Sequence, residues 1–74
     1  MRLSEFWVLA DDVFGSLRAR SLTADLVIGE LDDRTCAAAL EQGVEPRRVW
    51  EALCESAGVP PAQRYGALDR RRRA

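Results

Sequence analysis

The sequence predicts an all-α fold, a compact bundle of four to five short helices over residues 1–66, followed by a flexible Arg-rich tail over residues 67–74. Two observations lead to this prediction. Apolar residues recur at spacings of three and four, which is the period of a helix with one buried face. Glycine and proline residues stand between these stretches, at positions where helices commonly end and begin. The hydrophobic content of 47% with 31% charged residues is also typical of a globular chain.

The first two helices are predicted on either side of Gly15. Ser4 is a favourable N-cap for a first helix that Gly15 interrupts or ends. A second helix is expected from about Ser16, and it should fade between Asp25 and Leu31, because that stretch contains middling helix formers and a glycine. The predicted apolar stripe of the first helix consists of Leu3, Phe6, Trp7, Ala10, Phe14 and Leu17.

Glycine and proline define the next two helices. Thr35 is the predicted N-cap of a short third helix through Gln42. Gly43 should end that helix, because glycine enters the left-handed conformation without steric cost. Pro46 is expected at the first position of a fourth helix that runs to about Ala57, since the N–H that proline lacks would have no helical partner there.

One short motif occurs twice. GVEPRRVW at 43–50 and GVPPAQRY at 58–65 each contain a glycine, a valine, a proline and, four residues after that proline, an aromatic residue. Two copies are fewer than a solenoid needs. The second copy predicts a short fifth helical turn from Pro61 to Tyr65.

Missing residue types exclude several kinds of chemistry. The chain has no histidine, and all eleven of its basic residues are arginine. Neither a zinc site nor a histidine general base can therefore be assembled from this chain alone, and it offers no lysine amine. Cys36 and Cys54 lie in apolar helical stretches, which predicts buried, reduced thiols. We expect no enzymatic activity, no catalytic residue, no metal and no cofactor.

Charge and hydropathy patterning predict a cytoplasmic protein with an acidic domain and a basic tail. No run of about 18 apolar residues could cross a membrane, and the amphipathic start of the chain does not resemble a signal peptide. Residues 1–69 contain seven arginines and twelve acidic residues, a net charge of −5, and the four arginines at 70–73 bring the total to −1.

Residues 35–55 raise the hypothesis of a helix-turn-helix, in which the second helix enters the DNA major groove with Arg47 and Arg48 near its start. The charge of the segment argues against it, because two arginines face four glutamates and DNA affinity comes largely from basic side chains. The DNA-reading register would also expose Trp50 and Leu53, at roughly 1.5–3 kcal/mol each. The strongest apolar stripe instead predicts a buried face of Val49, Trp50, Leu53, Cys54 and Ala57.

Arg47 and Arg48 are nevertheless the candidate binding residues of the fourth helix. They lie in its predicted first turn, where the helix dipole disfavours cations. Pairing of Arg47 with Glu51, and of Arg48 with Glu51 or Glu55, is the favoured explanation, and the alternative is that both await an anionic partner. The full set of possible partner-binding residues is Arg47, Arg48, Arg70, Arg71, Arg72 and Arg73.

Several short motifs together resemble one protein family. They are MRLSEFW at the start, FG at 14–15, RT at 34–35, AL..GVEP..VW.ALC at 39–54 and VP...RYG at 59–66. The ordered set is similar to a family of small actinobacterial proteins catalogued as domain of unknown function 3046, over about residues 1–66. The resemblance implies an all-helical cytoplasmic protein. Members are often encoded near the genes for the recombination proteins RecA and RecX, so the resemblance implies a link to DNA recombination or repair.

The sequence therefore predicts a non-enzymatic protein–protein interaction module, a monomer or weak homo-oligomer with an unidentified protein partner. The alternative is a helix-turn-helix-like nucleic-acid-binding protein that uses Arg47, Arg48 and the tail arginines. Neither hypothesis involves a membrane.

Overall fold

The computed structural model describes the backbone of residues 1–73 and the side chains of residues 1–70. Within that part of the chain the predicted all-α bundle is confirmed. Its described residues contain an isolated β-bridge between Ile28 and Arg34 and no regular strand. No helix in this range is long and apolar enough to cross a bilayer. The elements are α1 (Leu3–Phe14), α2 (Ser16–Asp25), α3 (Cys36–Glu41), α4 (Pro46–Ala57) and α5 (Gly66–Arg73), with 3₁₀ turns at Gly29–Leu31 and Pro61–Gln63.

Trp50 of α4 lies at the centre of the core. Its side chain is fully buried, and its indole makes edge-to-face contacts with Phe6 and Phe14 of α1, with ring centroids 5.8 and 6.1 Å apart. Val49 and Leu53 are also fully buried, so the predicted inward face of the fourth helix is confirmed at these positions. The faces of α1 and α4 are thereby joined by aromatic packing.

Two predicted apolar faces differ in detail from the structure. Leu17 is 87% exposed, because Gly15 has φ +82° and starts α2 in a new direction, so Leu17 does not continue the stripe of α1. On α4, Ala57 is exposed in the last turn, whereas Ala52 is buried. Helical periodicity identified the large core residues of α4 but not these small ones at the margin of its buried face.

The predicted helix boundaries are confirmed around the third and fourth helices. The Thr35 hydroxyl accepts a hydrogen bond from the Ala38 N–H at 3.2 Å, and Gly43 follows α3 with φ +88°. Pro46 is the first residue of α4. The first helix differs, because Arg2 rather than Ser4 is its N-cap and the Glu5 carboxylate accepts the Arg2 N–H at 2.8 Å.

The chain continues as helix beyond the point where the sequence predicts a tail. α5 begins at Gly66 and packs against α1, and Ala67 and Leu68 are buried in the core. Arg70 of α5 pairs with Asp12 of α1 at 2.7 Å. Ala67 and Leu68 are too few apolar residues to show a helical period in the sequence. Their burial depends on the tertiary contact with α1, which the sequence does not reveal. The side chains of residues 71–73 and the whole of Ala74 lie outside the described part.

Candidate functional site

Arg64 is a nearly buried cation that connects the segment between α4 and α5 to α4. Only 9% of the residue is exposed, and all three nitrogens of its guanidinium donate hydrogen bonds. Nε donates to the Val59 carbonyl at 3.0 Å, Nη1 to the Glu51 carboxylate at 2.9 Å and Nη2 to the Glu55 carboxylate at 3.0 Å. The two carboxylates raise the pKa of Arg64, so the guanidinium stays charged. Burial of this charge is therefore compensated by its partners.

Glu51 is held on both of its carboxylate oxygens. Oε2 accepts a hydrogen bond from Arg64, and Oε1 accepts one from the Tyr65 hydroxyl. The Tyr65 hydrogen bond is the largest influence on the pKa of Glu51, which lies below its ordinary value of 4.5. Burial, followed by the bond to Glu51, raises the pKa of Tyr65 to about 12. At neutral pH the pair is a charged acceptor and a protonated donor.

These contacts change the predicted environment of Arg47 and Arg48. The sequence favours their pairing with Glu51 and Glu55, and this prediction is wrong, because Arg64 holds both carboxylates. Among the described side chains, no carboxylate lies within 4.0 Å of the guanidinium of Arg47 or Arg48. Both exposed arginines thus keep their positive charge without an ion-pair partner in this range.

Arg47 instead lies over an aromatic ring at the edge of a cleft. Its guanidinium carbon is 5.8 Å from the centre of the Tyr65 ring, a cation–π contact that orients the side chain. The cleft has a volume of about 370 Å³ and lies between the start of α1, the first turn of α4 and the start of α5. Its lining residues are Met1, Glu5, Arg47, Tyr65, Leu68 and Asp69.

The other predicted binding residues do not join Arg47 in this cleft. Arg48 is exposed beside it on α4 but does not line the cleft. Arg70 borders a second cleft of about 350 Å³ with its ion-pair partner Asp12. Leu68 and Asp69 of α5 line the first cleft, and Gly66 and Arg70 line the second, so α5 borders both clefts. The side chains of Arg71, Arg72 and Arg73 lie outside the described residues.

Sequence analysis did not identify the role of Arg64. This residue is 13 positions from Glu51 and 9 from Glu55, so the contacts are not helical neighbours. The one indication in the sequence is the second copy of the glycine-valine-proline motif, which places Arg64 and Tyr65 in the same order as Val49 and Trp50. A local motif cannot show which carboxylates such an arginine meets.

Two further groups were assessed as chemical sites. Cys36 and Cys54 are buried and unbonded, as the sequence predicts, and burial raises the pKa of their thiols to about 11 and about 12. A thiol with so high a pKa is a poor nucleophile at neutral pH. Across residues 1–70, no three His, Cys, Asp or Glu side chains are grouped so that they could hold a metal ion.

The fold and the site together define a small all-helical protein with an unpaired arginine beside a surface cleft. The chain belongs to the family described as a protein of unknown function, DUF3046, whose model matches residues 1–62. The resemblance found in the sequence is thereby confirmed. Arg47 and Arg48 lie inside the matched range, and α5 lies beyond it. No curated protein and no solved structure matches the chain.

Proposed function

We propose that this protein is a non-enzymatic binding module that docks on a partner protein through the face around Arg47 and Arg48. The observation that supports the proposal most strongly is the engagement of Glu51 and Glu55 by Arg64, which leaves both exposed arginines without a carboxylate within 4.0 Å among the described side chains. We further propose a cytoplasmic location and, from the family resemblance, a link to DNA recombination or repair.

The position of the two arginines adds a physical reason. Both lie in the first turn of α4, where the partial positive charge of the helix end opposes a cation by a few tenths of a kcal/mol or more. An external anionic group would relieve that repulsion and would form charge-assisted hydrogen bonds. Binding of an anionic group should therefore be more favourable at these two arginines than at an arginine elsewhere on the surface.

An affinity capture from the native host, followed by mass spectrometry, tests the proposal. The bait is the full chain, compared with an Arg47→Ala/Arg48→Ala double variant. Arg18→Ala/Arg20→Ala is the matched control, since it removes two exposed arginines from α2 and leaves α4 intact. We expect at least one protein to be captured by the wild type and by the control, and lost with the α4 variant. Equal capture by all three baits would contradict a role for this face.

A nucleic-acid partner is the second candidate, because adjacent exposed arginines at the start of α4 could contact phosphates. Trp50 and Leu53 are buried and cannot reach a base edge, so such binding would depend on the two arginines. An electrophoretic shift assay with duplex DNA at low and moderate salt tests it. Alanine replacement of residues 71–73 is preferable to truncation, because Ala67 and Leu68 are part of the core. Salt-sensitive binding that requires Arg47 and Arg48 would favour this candidate over a protein partner.

A further inference from the structure

The cleft beside Arg47 has the size and the walls of a side-chain pocket. Its volume of about 370 Å³ is near the lower end of the range for binding pockets, enough for one or two side chains of a partner segment. Met1 and Leu68 supply apolar wall, and Leu68 is itself held in the core. The apolar wall, together with the charges around it, determines which kind of segment fits.

Arg47 is already oriented for an acidic group. The Tyr65 ring lies beneath its guanidinium, and the Tyr65 hydroxyl is fixed by Glu51, which Arg64 holds in turn. A guanidinium held by a ring through a cation–π contact still has N–H groups for a carboxylate, which it can bind through two parallel hydrogen bonds. Less side-chain freedom is lost on binding when the arginine is oriented beforehand.

The same cleft also contains an acidic side chain without an ion-pair partner among the described residues, Asp69. Asp69 lines it together with Arg47, so charges of both signs face the cleft. A run of acidic residues would be repelled by Asp69, whereas a segment with both signs of charge would be attracted at each end.

We infer that the cleft binds a mixed-charge segment of a partner protein, in which an acidic side chain pairs with Arg47 and a nearby basic side chain pairs with Asp69. An apolar residue of the same segment packs on Met1 and Leu68. The inference rests on the proposed function and specifies the chemistry of the partner at one site.

Selection from a displayed library of random ten-residue peptides tests this inference on the full chain. We expect the recovered peptides to contain an acidic residue within a few positions of a basic one. A synthetic peptide of the recovered consensus should bind Arg47→Ala about tenfold more weakly, the usual loss for a charge-assisted hydrogen bond. Arg18→Ala is the matched control, because Arg18 is an exposed arginine of α2 outside the cleft, and it should bind the peptide as wild type does.

A second variant tests the acidic side of the cleft. Asp69→Asn should weaken binding of the consensus peptide, and Asp69→Lys should shift recovery towards peptides rich in acidic residues. Circular dichroism melts would verify that each variant is folded. Recovery of peptides without an acidic residue, equal recovery by Arg47→Ala, or no enrichment at all would each overturn the inference. Capture of a host protein that depends on Arg47 and Arg48 would still uphold the proposed function in those cases, so the two can fail separately.

Discussion

The indole N–H of Trp50 donates a hydrogen bond to the main-chain carbonyl of Arg64 at 3.1 Å. This bond links the buried aromatic residue of α4 to Arg64, whose side chain contacts the same helix at Glu51 and Glu55. The segment before α5 is therefore held to α4 from both its backbone and its side chain. Buried polar groups satisfied in this way specify one arrangement of the chain.

Replacing Trp50 separates its packing from its hydrogen bond. Trp50→Ala should lower the free energy of unfolding by about 3–5 kcal/mol, because a large buried ring is lost, and so small a domain has little stability to spare. Trp50→Phe keeps an aromatic ring against Phe6 and Phe14 but leaves the Arg64 carbonyl without its donor, and should cost less than Trp50→Ala. Urea unfolding followed by circular dichroism measures both. A Trp50→Ala midpoint equal to that of wild type would contradict the central position of this residue.

Arg64 should resist conservative replacement. Arg64→Lys preserves the charge, but an ammonium group cannot present the planar set of donors that meets Val59, Glu51 and Glu55 together. We expect a clear fall in melting temperature for Arg64→Lys and a larger one for Arg64→Ala. Arg48→Ala provides the comparison, since replacement of an exposed, unpaired arginine should leave stability within about 0.5 kcal/mol of wild type. Equal melting temperatures for Arg64→Lys and wild type would show that the guanidinium geometry is not required.

Tyr65→Phe should alter the titration of Glu51 while keeping a ring beneath Arg47. The Tyr65 hydroxyl is the largest cause of the low pKa of Glu51, so its removal should move that pKa up towards 4.5. Because the pKa is lowered by folding, Glu51 stabilises the protein above pH 4.5, and this stabilisation is lost as pH falls through the folded-state value. Tyr65→Phe should therefore have a shallower loss of stability in acid. Carbon NMR of the Glu51 carboxyl gives the pKa directly, and an unchanged value would contradict the hydrogen bond.

Alkaline pH should destabilise the protein through its buried thiols. Burial raises the pKa of Cys36 from 9.0 to about 11 and that of Cys54 from 9.0 to about 12, so both thiols are protonated in the fold at pH values where the unfolded chain ionises. Their contribution is complete below pH 9 and is lost as pH rises from there towards the folded-state values. Melting temperatures measured from pH 8 to 11 should fall less in Cys36→Ala/Cys54→Ala, compared with each variant's own value at pH 8.

Tyr65→Phe is the companion measurement for this pH range, because the pKa of Tyr65 is also raised, from 10.0 to about 12. Tyr65→Phe should therefore further reduce the fall in melting temperature at alkaline pH. Identical slopes above pH 9 in wild type and in the cysteine variant would show that the thiols ionise in the folded protein as freely as in the unfolded chain.

The sequence predicts those features that depend on local chemistry. Thr35, Gly43 and Pro46 act at helix ends through groups within a few residues, and the structure places all three as expected. Trp50 is also predicted correctly, because its burial follows from the period of one helix. Leu17 is the counterexample, since its exposure depends on the direction in which Gly15 starts α2.

The candidate site depends on contacts that no local pattern contains. Arg47 and Arg48 are identified by their position in a helix, but whether Glu51 and Glu55 can pair with them depends on Arg64, which reaches both carboxylates from beyond the end of α4. Leu68 is another such case, because its burial requires the tertiary contact between α5 and α1. Tertiary contacts, rather than helix propensity, thus determine which residues line the cleft and whether Arg47 is free to bind a partner.

The engagement of Glu51 and Glu55 by Arg64 has a consequence for how recognition defects are interpreted. If Arg64 were lost, two carboxylates would be released within one or two helical turns of Arg47 and Arg48, and they would compete with any outside anion for those guanidinium groups. Substitution of Arg64 would then weaken binding of the partner protein, although Arg64 itself does not contact that partner. Arg64 therefore contributes both to the stability of the fold and to the availability of Arg47 and Arg48 for binding.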